Sequence, residues 1–241
     1  MKTFSNKNQI SIGRGYGAEI LNIVKNAKKS VKIVSPYLSA SYLDELVNLN
    51  KKNVEITLIT SDNLTEQNSN YAFDDSKVIK QEKIINKEAK QKKKNLKYFS
   101  ISLLLIGFVS LSFLILSLPL IFISVILITL GVILAIANYF IQEYNYKYHS
   151  IFRLKVFDSH SGDKPWSTSL IHSKIFIVDD KICYLGSANF TYSGFKTHYE
   201  TIVKVEDEIA INKILNEVES LFNSNELKSK DIQEWGKEIY E

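Results

Sequence analysis

Apolar and polar positions alternate along the first 60 residues in a way that predicts helices and strands in turn. Residues 17–30 have apolar positions at helical spacing, and residues 31–34 form a short apolar strand. Residues 42–49 again have helical spacing, and residues 54–60 are rich in β-branched side chains, which favour a strand. This alternation is typical of a parallel or mixed sheet that carries helices.

Similar patterns return after residue 150. Apolar segments predict four strands and an amphipathic segment predicts one helix, at 152–157, 170–178, 182–185, 201–205 and 209–222. Neither part of the chain has enough elements to fold comfortably alone. We therefore expect an α/β fold in which the two parts form one domain.

Between these parts lies a block, residues 98–141, that contains no Asp, Glu, Lys or Arg. One helix of that length would be about 66 Å long, twice the hydrocarbon thickness of a bilayer. Two spans of about 21 residues fit, and Pro119 favours a turn at 116–119. A buried helical hairpin of a soluble core is the alternative, but such helices keep a polar stripe that this block lacks. The pattern predicts a two-helix transmembrane hairpin.

Basic residues are concentrated immediately before the apolar block. Residues 77–97 hold nine Lys and two Glu, a net charge of +7, whereas the whole chain has a net charge of +4. The positive-inside rule places this segment in the cytoplasm, and a two-span hairpin returns the chain to the same side. We therefore expect a cell-membrane protein with two spans and a cytoplasmic soluble domain.

The position of this charge also bears on partners. Anionic membrane lipid accounts for a lysine cluster beside a span. The rest of the chain is slightly acidic, which weakens a nucleic-acid interpretation without excluding it. The first 20 residues lack an apolar segment, so we expect no cleavable signal peptide.

These patterns divide the chain into five segments. They are an N-terminal half-domain, a polar Lys-rich linker, the hairpin, a C-terminal half-domain and a charged tail, at 1–60, 61–97, 98–141, 150–224 and 225–241. We expect a helix over 81–97 that continues into the first span. The tail has Trp235 as its one large apolar anchor, and the pattern predicts no regular element there.

The most informative residues lie between 172 and 189. They follow the pattern HxKx4Dx6GSxN, with His172, Lys174, Asp179, Gly186, Ser187 and Asn189 at the specified positions. Residues i and i+2 of a strand share a face, so His172 and Lys174 place an imidazole beside an ammonium. That pair suits a nucleophile next to a phosphate clamp.

The other motif residues suit supporting roles. Gly186 permits a tight backbone turn, and Ser187 and Asn189 add short groups that can hydrogen-bond phosphate oxygens. Asp179 falls on the opposite face of a regular strand from His172, which favours a structural role in pairing with backbone or a base. The single cysteine, Cys183, excludes an internal disulfide and a Cys-rich zinc site.

This motif resembles the signature of the phospholipase D superfamily, and the N-terminal order of helices and strands is similar to the opening of that family's domain. The resemblance implies a phospholipase D-like mixed sheet flanked by helices, here interrupted by the hairpin. It implies that His172 attacks a phosphodiester and forms a covalent phosphohistidine, while a second histidine protonates the leaving alcohol. Lys174 and Asn189 would stabilise the charged phosphorane, Glu200 would orient His172, and no metal or other cofactor would be needed.

Many members of the family carry the motif twice, whereas this chain carries it once. His149, His160 and His198 have no Lys two residues later. A single copy implies a homodimer in which the second copy of the chain supplies the second His172. A structural role is the simpler interpretation of His198, with lining of the site as the alternative.

The sequence thus predicts a membrane-anchored phosphodiester hydrolase of the phospholipase D superfamily. The hairpin and the lysines slightly favour phospholipid headgroups as substrate, by hydrolysis or phosphatidyl transfer. The alternative is a tethered, metal-independent endonuclease that cleaves DNA or RNA. A membrane scaffold with an inactive site is a third interpretation, against which the intact motif argues.

Overall fold

The computed structural model describes residues 8–63, 77–112, 118–159 and 171–240. The strands are β1 (Asn8–Gly13), β2 (Ser30–Val34), β3 (Glu55–Ser61), β4 (Ile79–Ile85), β5 (Tyr144–Ser150), β6 (Arg153–Phe157), β7 (Ile175–Val178), β8 (Ile182–Gly186) and β9 (Glu200–Val205). The α-helices are α1 (Gly17–Lys25), α2 (Ala40–Asn50), α3 (Lys87–Ser112), α4 (Leu118–Tyr139), α5 (Glu208–Asn223) and α6 (Ile232–Tyr240), and Ser193–Thr197 forms a π-helical turn. The larger of two compact units combines Met1–Gln81 with Tyr148–Glu241, and the smaller is Glu82–Lys147.

Seven strands of the larger unit form one mixed sheet in the order β1-β9-β8-β7-β2-β3-β6. β2, β3 and β6 are parallel neighbours, and the other neighbouring strands are antiparallel. Strands from the two parts of the sequence meet in the middle, where β2 pairs with β7. The predicted α/β fold with a mixed sheet and flanking helices is confirmed.

The sheet separates two apolar cores because side chains alternate between the faces of a strand. Val31 and Ile33 of β2 face a core that includes buried residues of α1 and α2. Val34 faces the other core, which includes Ile177 of β7 and residues of α5. Each fully buried aliphatic side chain stabilises the fold by about 1.5–3 kcal/mol, so this alternation fixes the register of the central strands.

The boundaries of several elements differ from the predicted ones. Helix α1 ends at Lys25 rather than at residue 30, and β7 begins at Ile175. The helix expected over 81–97 begins at Lys87, because residues up to Ile85 belong to β4 instead. Strands β4 and β5 pair with each other in a two-stranded sheet. Their mostly polar sequences lack the apolar run on which the other strand predictions depended.

The tail also contains an element that the sequence pattern did not predict. Helix α6 buries Trp235, whose indole is 4% exposed. Before α6, the Lys230 N–H donates to the Val156 carbonyl at 2.9 Å, so the tail pairs with the backbone of β6. This contact covers the outer strand of the sheet, which would otherwise present unpaired backbone groups.

The smaller unit contains two helices, α3 and the Ile121–Tyr139 part of α4, that are long and apolar enough to cross a membrane. Their facing surfaces carry small residues: Ser110 Oγ lies 2.7 Å from Ser124 Oγ, and a Cβ on Gly107 would lie 2.7 Å from Ile128. Small residues and hydroxyl pairs are typical of helix packing in lipid. The outer surfaces are exposed and apolar, as Phe108 (59%) and Phe122 (67%) illustrate. Residues 113–117 of the predicted turn lie outside the described residues, and Pro119 belongs to the first turn of α4.

Candidate active site

The motif residues meet at one end of the sheet because of the strand directions. Strands β7 and β9 begin at the end where β8 and β2 finish. The Gly186 N–H donates to the Lys174 carbonyl at 3.2 Å, and the Ser187 N–H donates to the Thr201 carbonyl at 3.0 Å. The chain segments that begin and end these strands therefore lie side by side along this edge, which we call the motif edge.

Lys174 and His172 form the centre of the motif edge. The Lys174 side chain is buried, with the residue 4% exposed, and its Nζ donates to the His172 carbonyl at 2.7 Å. The His172 side chain is exposed. A buried ammonium next to an exposed imidazole can attract a phosphate to that imidazole, since charge interactions strengthen where water is excluded.

Glu200, the first residue of β9, lies beside Ser187. The Ser187 hydroxyl donates to Glu200 Oε2 and accepts from the Thr201 N–H, the latter at 3.0 Å. Glu200 Oε1 lies 3.7 Å from Nδ1 of His198, whose side chain is 53% exposed. The contacts that the structure gives Glu200 are thus with Ser187 and His198 rather than with His172.

Gly186, the last residue of β8, is fixed by a close approach between strands. A Cβ at this position would lie 2.0 Å from the Thr201 carbonyl oxygen, a distance that no side chain tolerates. Any larger residue would push β8 and β9 apart where Ser187 meets Glu200. The sequence suggested a tight backbone turn at Gly186, whereas in the structure this glycine allows β8 and β9 to approach each other closely.

Asn189 lies in a loop that is attached to the segment after β2. The Phe190 N–H donates to Ser35 Oγ at 2.9 Å, and the Tyr192 N–H donates to Ser39 Oγ at 2.7 Å. Asn189 itself is half-buried and directly precedes the first of these two anchor points. Sequence reasoning missed Ser35 and Ser39, although two serines just after a buried strand are a detectable signal at a strand end.

Asp179 lies at the opposite end of β7 from His172. Its carboxylate accepts from the N–H groups of Lys28, Lys29 and Ser30 at 2.6–3.1 Å. Burial raises the pKa of this carboxyl, but the N–H groups of Lys29, Ser30 and Lys28 outweigh it and hold the pKa below its ordinary value. Asp179 connects the turn after β7 to the start of β2, which is a structural contact with backbone.

Replacing Asp179 with Asn should lower the free energy of unfolding by about 2 kcal/mol at neutral pH, because hydrogen bonds to a charged acceptor are lost. Asn tolerates the left-handed backbone at this position (φ 55°), so the backbone itself is not strained. Because the folded pKa is lowered, the stabilisation is complete above about pH 4 and is lost as the pH falls through the folded pKa.

Thermal denaturation of wild type and Asp179→Asn in detergent at pH 7 and at pH 3 measures this difference. Glu226→Gln is the matched control because Glu226 is exposed and its carboxylate makes no contact that the structure gives. We expect the gap between wild type and Asp179→Asn to narrow at pH 3. A gap of equal size at both pH values would contradict the role of the carboxylate charge.

The remaining candidates lie away from this chemistry or outside the described residues. Burial raises the pKa of the Cys183 thiol to about 12, so it is a core residue rather than a nucleophile. His149 is exposed in β5, and His160 lies outside the described residues. Within the described ranges, no three His, Cys, Asp or Glu side chains group together as a metal site.

One part of the chain matches a known family model. Residues 134–224 match the family model described as cardiolipin synthase, PLD-like domain. No curated protein sequence matches the chain.

Several solved structures are similar to the chain at low identity. NucT from Helicobacter pylori is 13% identical, with a TM-score of 0.49 over 90% of this chain and 96% of that one. Nuc from Salmonella typhimurium, a phospholipase D family member, is 12% identical, with a TM-score of 0.42 over 92% and 98%. Phosphatidylserine synthase from Haemophilus influenzae is 13% identical, with a TM-score of 0.41 over 95% of this chain and 41% of that one.

The similarity to this family rests on the matched family model and on the motif, not on these structural similarities. The matched segment contains every residue of the HxKx4Dx6GSxN pattern. Residues 134–224 are thus similar to a PLD-like domain, and the motif that they contain resembles the signature of the phospholipase D superfamily.

Proposed function

We propose that the chain is a membrane-anchored phosphodiester hydrolase that acts through a covalent phosphohistidine at His172. The observation that carries this proposal is that His172 is exposed at the motif edge while its backbone carbonyl accepts from the ammonium of the buried Lys174. An accessible imidazole can reach a phosphorus atom, and the ammonium offsets the charge of the phosphate oxygens.

The proposed reaction has two steps. A ring nitrogen of His172 attacks phosphorus, the N–P bond forms, and the bond to the leaving alcohol breaks as a second imidazole donates a proton to that alcohol. The second imidazole then takes a proton from water, whose oxygen attacks phosphorus and breaks the N–P bond. Lys174 and Asn189 stabilise the negative charge of the five-coordinate phosphorus in both steps. No metal ion is part of this proposal.

Glu200 is proposed to orient His172 in this reaction. The register of the sheet supports the assignment: continued past the paired residues, it brings His172 and Glu200 to either side of Ala188. A carboxylate on the second ring nitrogen of a histidine fixes the tautomer and raises the basicity of the first. In this arrangement Ser187 holds Glu200 through its hydroxyl.

We propose that the second imidazole is His172 of a second copy of the chain in a homodimer. The chain carries the motif once, and His172 is exposed at the motif edge, where a two-fold axis would bring two such edges together. Symmetry then gives two equivalent imidazoles, one as nucleophile and the other as acid and base.

The membrane anchor is proposed to be the pair α3 and α4. Support comes from their apolar exposed surfaces and from the small residues between them. The net +7 of residues 77–97 favours a cytoplasmic position for the domain. An anchor of this kind holds the protein at a membrane, which favours phospholipid headgroups as substrate.

A nuclease is the second candidate function, favoured by one observation at the motif edge. Two exposed cationic residues, Arg14 and Lys196, and the exposed Tyr199 lie just outside the paired ends of β1 and β9, where Gly13 pairs with Glu200. Cations with aromatic side chains are typical of surfaces that bind single-stranded nucleic acid. A membrane anchor would then act as a tether.

Parallel assays of the detergent-solubilised full-length chain with EDTA distinguish these functions. Labelled phospholipid vesicles, labelled single-stranded DNA and bis(p-nitrophenyl) phosphate are the three substrates, and His172→Ala is the control. We expect His172-dependent turnover of bis(p-nitrophenyl) phosphate and of one natural substrate, and headgroup release or DNA cleavage identifies which. Inertness of the wild type toward all three would contradict the proposed function.

A further inference from the structure

The loop between β1 and α1 lies against the segment that precedes β9. Gly13 pairs with Glu200 across the sheet. Gly17 touches Phe195 so closely that a Cβ would lie 2.4 Å from the Phe195 Cα. Both ends of the loop are thus fixed to residues 195–200, which places Arg14 and Tyr16 beside Lys196 and Tyr199.

These four residues form an exposed surface, which we call the Arg14 surface. Arg14 and Lys196 are exposed, and among the described residues neither makes an ion pair. Tyr16 is 48% exposed and Tyr199 is 71% exposed. Large aromatic side chains at such exposure are available for contact with a ligand rather than for packing.

Carboxylates also lie near the Arg14 surface. Glu19 of α1 accepts from the Tyr184 hydroxyl at 2.8 Å and lies 3.5 Å from Lys204 Nζ, which also lies 3.4 Å from Glu206. The Glu200 side chain is only 11% exposed and bonds to Ser187. Among the described residues, Arg14 and Lys196 are therefore the cations of this surface that no carboxylate pairs with.

The distance from Lys174 decides which part of a substrate this surface can reach. Strands β1 and β7 are separated by β9 and β8, and three strand spacings correspond to about 14 Å between backbones. This separation is wide enough for Lys174 and Arg14 to hold two different phosphates of one substrate.

We infer that the Arg14 surface binds the phosphates and bases that flank the cleaved bond in a single-stranded polynucleotide. The inference rests on the proposed phosphodiesterase and selects the second of its two substrate classes. A polynucleotide has a phosphate at every nucleotide for Arg14 and Lys196, and its unstacked bases can stack on Tyr16 and Tyr199.

Binding without turnover tests the inference independently of catalysis. Detergent-solubilised His172→Ala protein is titrated with a fluorescent single-stranded oligonucleotide over a range of salt concentrations. Adding Arg14→Ala and Lys196→Ala should weaken binding at least tenfold at low salt. It should also reduce the slope of log K against log salt by about 1.4, because two single-strand phosphate contacts are lost.

Lys51→Ala with Lys52→Ala is the matched control. Both lysines are exposed in the turn before β3, at the opposite end of β2 and β3 from the motif edge, and the control removes the same charge. We expect its salt slope to equal that of the parent. Turnover is then measured in protein that keeps His172. There, the Arg14 and Lys196 double variant should lower kcat/KM for the oligonucleotide, relative to kcat/KM for bis(p-nitrophenyl) phosphate, at least tenfold.

Two results would overturn the inference. One is an unchanged affinity and salt slope for the oligonucleotide in the Arg14 and Lys196 double variant. The other is that both double variants weaken binding equally, which would show a general charge effect. If the Arg14 and Lys196 double variant loses binding only to anionic phosphatidylglycerol vesicles, its oligonucleotide binding is unchanged, which is the first of these results. The surface would then be assigned to lipid. Failure of the proposed catalysis is seen separately, as inertness of the His172 wild type toward bis(p-nitrophenyl) phosphate.

Discussion

Replacing His172 with Ala is expected to lower phosphodiester turnover by at least about 10⁴-fold, because a residue that forms the covalent intermediate has no substitute. The imidazole is exposed in the segment that precedes β7, so its removal leaves no cavity in the core. The fold should persist, and thermal denaturation in detergent should give a transition within a few degrees of wild type. Initial rates with bis(p-nitrophenyl) phosphate measure the loss.

His149→Ala is the matched control for this prediction, since His149 is also exposed but lies in β5 and outside the motif. It should retain wild-type turnover. Rapid quenching of the wild type with a ³²P-labelled diester should trap label on the protein that is stable to base and released by acid, as expected of phosphohistidine. Turnover of His172→Ala above a hundredth of the wild-type rate, or trapped label in that variant, would contradict a nucleophilic His172.

The proposed dimer predicts a second effect of the same substitution. If each site needs His172 from two copies, a mixed dimer of wild type and His172→Ala holds no complete pair of imidazoles. Subunit exchange with excess His172→Ala should therefore suppress wild-type activity in proportion to the mixed dimers formed. The homodimer and the phosphohistidine are thus tested by one substitution with two different readouts.

The central strands of the fold were predictable because their pattern depends on burial alone. Strands β2, β3 and β9 are rich in β-branched side chains, and β8 is a short, largely apolar run. Each of the four lies within one or two residues of its predicted range. β1 was missed because it is the outermost strand of the sheet. Its Ile10 is 67% exposed, so the segment has no pattern set by a core. Local sequence carries little information about an element whose partner is 190 residues away.

The motif edge was predictable in its residues but not in its contacts. Spacing alone brought His172 and Lys174 together as candidates, whereas the bond from Ser187 to Glu200 depends on the register of β8 and β9. The attachment of the Asn189 loop to Ser35 and Ser39 crosses some 150 residues of sequence. Contacts of that range depend on tertiary packing, which no local periodicity encodes.

Replacing residues 87–142 with a short Gly/Ser linker is expected to release the protein from membranes entirely. The Asn86 N–H donates to the Glu143 carbonyl at 2.9 Å, so a short linker can join the two remaining ends. The larger unit has its own sheet and both apolar cores. It should therefore fold without detergent and keep turnover of bis(p-nitrophenyl) phosphate within about threefold of wild type.

The hairpin rather than the lysines should dominate this membrane association, and a second variant separates the two. Changing Lys90, Lys92, Lys93 and Lys94 to Gln removes about 1 kcal/mol of attraction to anionic lipid per lysine. The apolar spans are left intact, and insertion of such spans is effectively irreversible on its own. This variant should remain in the membrane pellet after a high-salt wash, whereas the linker variant should appear in the supernatant. If the linker variant sediments with membranes, or the glutamine variant is released by salt, then α3 and α4 are not the anchor, and the preference for a substrate at the bilayer loses its support.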